Sequence, residues 1–421
     1  MSKSKSKLKI QMASELPDSW GPGGVSRGPL AEYMGGFVDD LLHRGYSMQA
    51  VGKKVRLACD LSRWMDRKRL HVGLLDERQT ASFLSARWRH GPKRSGDQST
   101  MTLLLRNLRH AGIILPVFDQ ASGPAEIVER EYGRFLLQQR GLMPASARQY
   151  VTVARRFVSH SAAGGRFRPD KLRGRDVTNF VLHDTSTRGR RSAQLMTVAL
   201  RSFLDFLLQE GHASANLANV VPAVAGWRLS ELPRYLVPAQ VEQLLSSCDR
   251  TTKVGKRDYA ILLLLARLGL RAGEVVGLNL EDVDWLRGQL LVRGKGARLD
   301  RLPLVRDVGA AIADYLQNGR PRCSCRRLFV QSKAPYDGFP CSATISSMVS
   351  RALQRSRLNP PNHGAHLLRH SLATGMLRNG ASLSQIGQVL RHQQTATTEI
   401  YAKVDLGALR GLAQPWPGGA Q

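Results

Sequence analysis

The sequence predicts a mainly α chain with a small β-hairpin in its C-terminal domain, and three observations carry that reading. Apolar residues recur every three or four positions through most of the 421 residues, the spacing of amphipathic helices. The pattern repeats at a nearly constant offset in two N-terminal blocks, which predicts tandem helical units. In the C-terminal block, two short strand-like runs flank Gly294-Lys295-Gly296-Ala297, which predicts a hairpin with Lys295 at its tip.

Residues 1–28 carry alternating lysines and then proline and glycine, and read as a disordered basic arm. The first helical unit spans 29–116, with helices over Leu30 to Arg44, Ala50 to Asp66, Glu77 to Arg89 and Thr100 to Ala111. The second spans 124–213 and repeats the plan. Glu126 to Arg140 is followed by Gly141, as Gly45 follows Arg44. Ser146 to Ser159 matches the helix from Ala50, with Val55 and Leu61 answering Val151 and Phe157 at an offset of 96. Phe83 and Phe180 agree at 97, and Leu105 and Leu200 at 95, so an internal duplication is inferred. Basic residues recur on the helix after each glycine: Lys53, Lys54 and Arg56 in the first unit, Arg148, Arg155 and Arg156 in the second. With two similar cationic faces, contact with a nucleic-acid backbone is expected there. Residues 214–234 read as an extended linker, 235–413 as one mixed domain and 414–421 as a tail.

The composition narrows the function. The chain holds 62 Lys+Arg against 33 Asp+Glu, a formal net charge of +29, which points to a polyanionic partner. Arginine dominates over lysine, and its planar fork suits phosphate. The five cysteines, Cys59, Cys248, Cys323, Cys325 and Cys341, are odd in number and scattered, as expected in a reducing cytoplasm. Cys323 and Cys325 lack a second ligand pair at zinc spacing and read as incidental thiols, so neither metal nor cofactor is expected. Asp282 and Asp284 lack a third convergent acid, which argues against a two-metal nuclease. The six tryptophans read as packing residues. The basic start has no apolar core to make it a signal peptide. The longest apolar run, Tyr259 to Ala266, is too short to span a bilayer, so no membrane association is expected.

The stretch from Asn362 to Val404 concentrates the chemistry. His366 and Arg369 stand at i and i+3 in an apolar-periodic run, so one helix face carries both. Gly380 is a C-cap for that helix, and Ser382 with Gln385 forms a capping box that opens the next. The second helix delivers Arg391 and His392 at its end, and a third helical piece carries Tyr401. His370 is read as facing away from Arg369 and structural. Upstream, Arg271 follows a buried apolar helix beside Gly269 and Gly273, with Glu274 placed to orient it. A phenol surrounded by cations and imidazoles suits a phosphodiester. Cutting one without metal needs a nucleophile, fixed cations for the phosphorane and two proton transfers.

Four segments, GLRAGEVVGLNLEDVDW, GKGARLDRLPL, HLLRHSLAT and LRHQQTATTEIY, together resemble the tyrosine recombinase (phage integrase) family over about 180 C-terminal residues. The second helical unit resembles that family's core-binding domain. The resemblance implies an integrase-like α+β catalytic domain and a role for each matched residue. Tyr401 is the nucleophile that forms a 3′-phosphotyrosyl link. Arg271 and Arg369 clamp the non-bridging oxygens, and His392 donates to the same group. Lys295 protonates the leaving 5′ oxygen, and His366 serves as base or positions the tyrosine. No ATP or metal is implied. One departure is plain: the family usually has glycine where this chain has Arg391, which either crowds the site or adds a phosphate contact.

These readings converge on a site-specific recombinase of double-stranded DNA, the integrase or transposase of a mobile element. It is expected to act in the cytoplasm as a homotetramer, or in a hetero-assembly with related recombinases. A replicon-resolving recombinase of the Xer type is the nearest alternative. A type IB topoisomerase and an inactive DNA-binding accessory protein are more distant ones.

Overall fold

The computed structural model describes residues 28–89, 91–94, 96–114, 123–162, 167–224, 233–294, 298–392, 394 and 397–404. The expected basic arm up to residue 27, the C-terminal tail, Trp20, Trp227, Trp416 and Lys295 lie outside them. The chain divides into two compact units, residues 1–116 with 231–421, and residues 117–230.

Among the described residues, the N-terminal part of the first unit holds the α-helices α1 (Met34–His43), α2 (Met48–Arg67), α3 (Glu77–Arg89) and α4 (Asp97–His110). Gly45, at φ +80°, ends the α1 turn in a conformation that favours glycine. Ser47 then caps α2, its hydroxyl accepting from the Ala50 N–H at 3.4 Å. The apolar stripes close on one core of Phe37, Leu41, Val55, Leu61, Phe83 and Leu105.

The described residues of the second unit form the α-helices α5 (Pro124–Arg134), α6 (Pro144–Ser161), α7 (Gly174–Thr185) and α8 (Arg190–Gln209). Proline opens α5 and α6, where its missing N–H is not needed. The core is aromatic. Phe157 meets Phe180 edge-on at 5.3 Å between centroids, and Tyr132 meets Phe203 at 5.0 Å. Of the residues aligned by the sequence offsets, Leu61, Phe157, Phe83, Phe180, Leu105 and Leu200 are buried, whereas Val151 is half-buried. The stretch expected to be linker begins otherwise: Leu217, Ala218 and Val221 pack into this core. Arg201 fixes them by donating to the Val221 carbonyl at 2.8 Å. Three apolar residues within five positions suffice for one short helical turn, which the run of small residues concealed.

The C-terminal part of the first unit is α9 (Pro238–Ser246), α10 (Lys253–Arg267), α11 (Ala272–Gly277), a three-stranded sheet, α12 (Arg306–Asp314), α13 (Ser342–Arg355), α14 (His366–Arg378) and α15 (Leu383–Val389). A 3-10 turn, Glu399–Val404, follows. Residues 260–266 of α10 are all buried, because α9, α12 and α14 pack round it. The sheet is antiparallel in the order β1 (Val283–Asp284), β2 (Gln289–Arg293), β3 (Leu299–Pro303), with Leu290 opposite Leu302. The hairpin predicted around residue 295 is therefore present as β2 and β3. The two residues of β1 are too few to show a period, so no alternation marks them.

Removing a ring from the aromatic core tests this packing. Phe157→Ala leaves a cavity and costs about 3–5 kcal/mol. Hydrogen exchange in α6 to α8 is expected to accelerate while α10 stays protected. Unchanged protection across α6 to α8 contradicts the assignment of Phe157 to that core.

Candidate active site

The site begins where α10 stops. Gly269 takes φ +57°, and a β-carbon there meets Leu390 Cδ2 at 2.8 Å and Leu372 Cδ2 at 3.0 Å. Glycine is thus required twice over, by backbone conformation and by the closeness of two side chains. The turn presents Arg271 as the residue that caps α11. Glu274, in the first turn of α11, accepts from the Arg271 N–H at 2.9 Å and from its guanidinium at 2.8 Å. The expected pairing of these two residues is what the structure shows.

Helix α14 forms over the apolar-periodic run expected to be helical, and Arg369 is buried within it. Its guanidinium donates from Nη1 to the Gly269 carbonyl and from Nη2 to the Leu390 carbonyl. Burial, followed by the charges of Arg271 and Arg391, pushes the Arg369 pKa down to about 10, so it is still a cation at neutral pH. Gly380, at φ +85°, ends the helix region as predicted. Ser382 and Gln385 form the predicted capping box, with the Ser382 N–H donating to Gln385 Oε1 at 2.8 Å.

Tyr401 is only 1 % exposed and packs with Ala373, Ile386 and Leu390. Its hydroxyl lies 2.9 Å from His370 Nδ1. The expectation that His370 faces away as a structural residue is corrected by this contact. A helix of 3.6 residues per turn leaves room for both His366 and His370 near one face, and their rings lie 6.5 Å apart. Burial, then His366 and Arg369, push His370 down to about 4, so it is neutral at physiological pH. Burial raises Tyr401 to about 12 against the opposing pull of Arg369 and Arg271.

His392 Nδ1 lies 2.7 Å from the hydroxyl of buried Thr398. Burial and the charges of Arg369 and Arg271 bring His392 down to about 4. A cavity of about 560 Å³ has Arg298 and Arg301 on one side and Arg391, His392 and Thr398 on another, so the base of the hairpin and the His392 turn face one space. The structure therefore brings together Arg271, Arg369, His366, His370, His392 and Tyr401. Lys295 lies outside the described residues.

The expected nucleic-acid contacts on the helical units divide. Lys53 and Arg148 are exposed. Lys54 donates to Thr100 Oγ1 at 3.1 Å and lies 4.9 Å from the Tyr46 ring centroid, and burial lowers its pKa. Arg155 pairs with Glu129 at 2.7 Å and Arg156 with Asp184 at 3.2 Å.

Residues 234–406 match the model of the phage integrase family. A putative integrase/recombinase, y4rA of Sinorhizobium fredii, is 42 % identical over 396 residues, covering 94 % of this chain and 96 % of that one. The chain belongs to the phage integrase family. It is a site-specific tyrosine recombinase, an enzyme that breaks and rejoins DNA strands. Tyrosine recombinase XerD of Listeria monocytogenes is 30 % identical over 65 % of this chain and 93 % of its own length. The fold agrees with two solved structures. One is XerH recombinase in a post-cleavage complex with its difH substrate, with a TM-score of 0.51, 17 % identity, and 89 % of this chain and 95 % of that one covered. The other is a lambda integrase dimer on a core site, with a TM-score of 0.51, 15 % identity, and 70 % and 98 % covered.

Sequence reading missed two neighbours of the recombinase's expected machinery, His370 and Thr398. Thr398 left no local signal. His370 stands directly beside Arg369, but only the position of Tyr401 in space gives it a partner.

The two depressed imidazoles set an acid limit. A group whose folded pKa lies below its ordinary value stabilises the fold above about pH 6.5, and that contribution is lost as pH falls toward about 4. The melting temperature is therefore expected to fall over that interval, and less steeply in His370→Asn. The same slope in both proteins contradicts the neutral, buried state of His370.

Proposed function

We propose that this recombinase cuts double-stranded DNA with Tyr401 and is the integrase or transposase of a mobile element. The contact between Tyr401 Oη and His370 Nδ1, inside a cluster that includes Arg271 and Arg369, carries the reading. The phenolic oxygen attacks phosphorus, the bond to the 5′ oxygen breaks, and the 3′ end is left on the tyrosine. The phenol proton leaves toward the His366 and His370 pair. Lys295 supplies the proton that the departing 5′ oxygen takes up. Arg271 and Arg369 hold the non-bridging oxygens, where charge grows in the transition state. With the Thr398 hydroxyl as donor to Nδ1, the His392 proton sits on Nε2, free to bond the same phosphate. Attack by the 5′ hydroxyl of a partner strand reverses the step and completes exchange.

Tyr401 is buried in the protein alone. The Glu399–Val404 turn must therefore shift when DNA is engaged. The net charge of +29 supplies the attraction for the duplex, to which Lys53 and Arg148 contribute as exposed cations. A homotetramer on two sites, or a mixed assembly with related recombinases, in the cytoplasm, is the working assembly. The mobile-element role is favoured over replicon resolution by length: the XerD relative, matched over 93 % of itself, accounts for 65 % of this chain.

A nicked suicide duplex carrying the element's own end sequence tests the assignment. The wild-type protein is expected to accumulate a covalent adduct, and Tyr401→Phe to form none, because the attacking oxygen is gone. Peptide mapping of the adduct should place the nucleotide on Tyr401. An adduct that persists in Tyr401→Phe refutes the nucleophile. Relaxation of supercoils by a monomer on unrelated DNA would instead favour the topoisomerase alternative.

A further inference from the structure

The residue that departs from the family pattern, Arg391, has a definite set of partners. It stands at φ +57°, in the left-handed region where the family's usual glycine is unstrained. Its side chain is 5 % exposed, and so is that of Glu274. Nη2 donates to Glu274 Oε2 at 2.9 Å. Nη1 donates to the carbonyls of Leu268 at 3.4 Å and Val389 at 3.3 Å. Arg369 donates to the carbonyls of Gly269 and Leu390, the next residue along each of the same two segments. Two guanidiniums thus clip the turn that presents Arg271 to the turn that presents His392, one carbonyl apart.

This arrangement points to a third effect beside the two expected of an arginine here. Both terminal nitrogens are bonded within the protein and the side chain is 5 % exposed, so the guanidinium is committed to Glu274 and two backbone carbonyls rather than to a phosphate. Its influence passes through Glu274. That carboxylate takes the Arg271 N–H and Nη1 as well as Arg391 Nη2. Burial alone would raise the Glu274 pKa. The hydrogen bond from the Arg271 backbone, the Arg391 charge and the Arg271 guanidinium override burial and keep the carboxyl below its usual range. Arg271 itself is 35 % exposed and keeps a surface free for an anion.

We propose that Arg391 is a positioning residue for the phosphate clamp. By holding Glu274 and the Leu268 and Val389 carbonyls, it fixes the direction in which Glu274 aims Arg271. The proposal rests on the reading that Arg271 grips the scissile phosphate. It predicts an effect on the chemical step rather than on DNA capture, because the misaligned group acts only on the reacting phosphate.

The full chain is tested on the nicked suicide duplex at saturating protein, with duplex Kd and melting temperature measured in parallel. Arg391→Gly relieves the backbone strain while removing the pairing. Its adduct-forming rate is expected to fall about 10- to 100-fold, with Kd changed by less than about threefold. Arg391→Lys retains the charge without the fork and is expected to recover part of the rate. Glu274→Gln combined with Arg391→Gly should cost less than the sum of the two changes, because both act through one contact. A wild-type rate in Arg391→Gly overturns the proposal. So does a loss in both single variants that follows Kd or melting temperature alone. Failure of the nucleophile assignment reads differently, as an adduct that survives Tyr401→Phe in a protein with Arg391 intact.

Discussion

One buried carboxylate among three guanidiniums is the interaction on which the site depends. Glu274 bonds directly to Arg271 and Arg391, and its charge is felt by Arg369. Three positive charges against one negative leave the cluster two charges in excess. Like charges gathered at low exposure repel strongly, and backbone carbonyls offset that repulsion only in part. A phosphodiester brings one negative charge, and its pentacoordinate transition state about two. If Arg271 and Arg369 hold the scissile phosphate as proposed, the cluster is completed better by the transition state than by the bound substrate, which is the condition for acceleration rather than tight binding.

The same electrostatics act on Tyr401, the proposed nucleophile. Arg369 and Arg271 pull the Tyr401 pKa down, yet burial wins and leaves the phenol protonated in the free protein. The two imidazoles closest to the chemistry, His370 and His392, are kept neutral by burial and by the neighbouring cations. A neutral imidazole accepts a proton or donates a hydrogen bond without adding to an already positive cluster. The resting protein thus holds an unreactive phenol and two uncharged imidazoles beside an excess of fixed charge. On the proposed reading, a bound phosphodiester offsets half of that excess and the transition state about all of it.

Local features of this design were legible in the sequence, and long-range ones were not. The apolar periodicity after His366 and the glycine at 380 mark the helix, and the i, i+3 spacing puts His366 and Arg369 on one face of it. The Ser382 and Gln385 box gave the start of α15, and Glu274 was placed on Arg271 because both lie within one turn. The contact between Arg391 and Glu274 joins residues 117 positions apart, and no periodicity reports it. His370 was assigned to structure because helix geometry gives its direction relative to Arg369 and says nothing of where residue 401 returns. Lys54 looked like a free cation on a basic face, yet Tyr46 and Thr100 occupy it, a tertiary outcome that composition does not contain. Leu217, Ala218 and Val221 were read as linker because small residues obscured a turn that only the second unit's core could stabilise.

The most direct measurement is the structure of the Tyr401→Phe protein on an intact duplex of its own recombination site. If the cluster is a phosphate clamp, one backbone phosphate will lie within hydrogen-bond distance of both Arg271 and Arg369, with Arg391 still on Glu274 and residue 401 brought in line with the 5′ oxygen. A duplex whose phosphates reach neither guanidinium would contradict it.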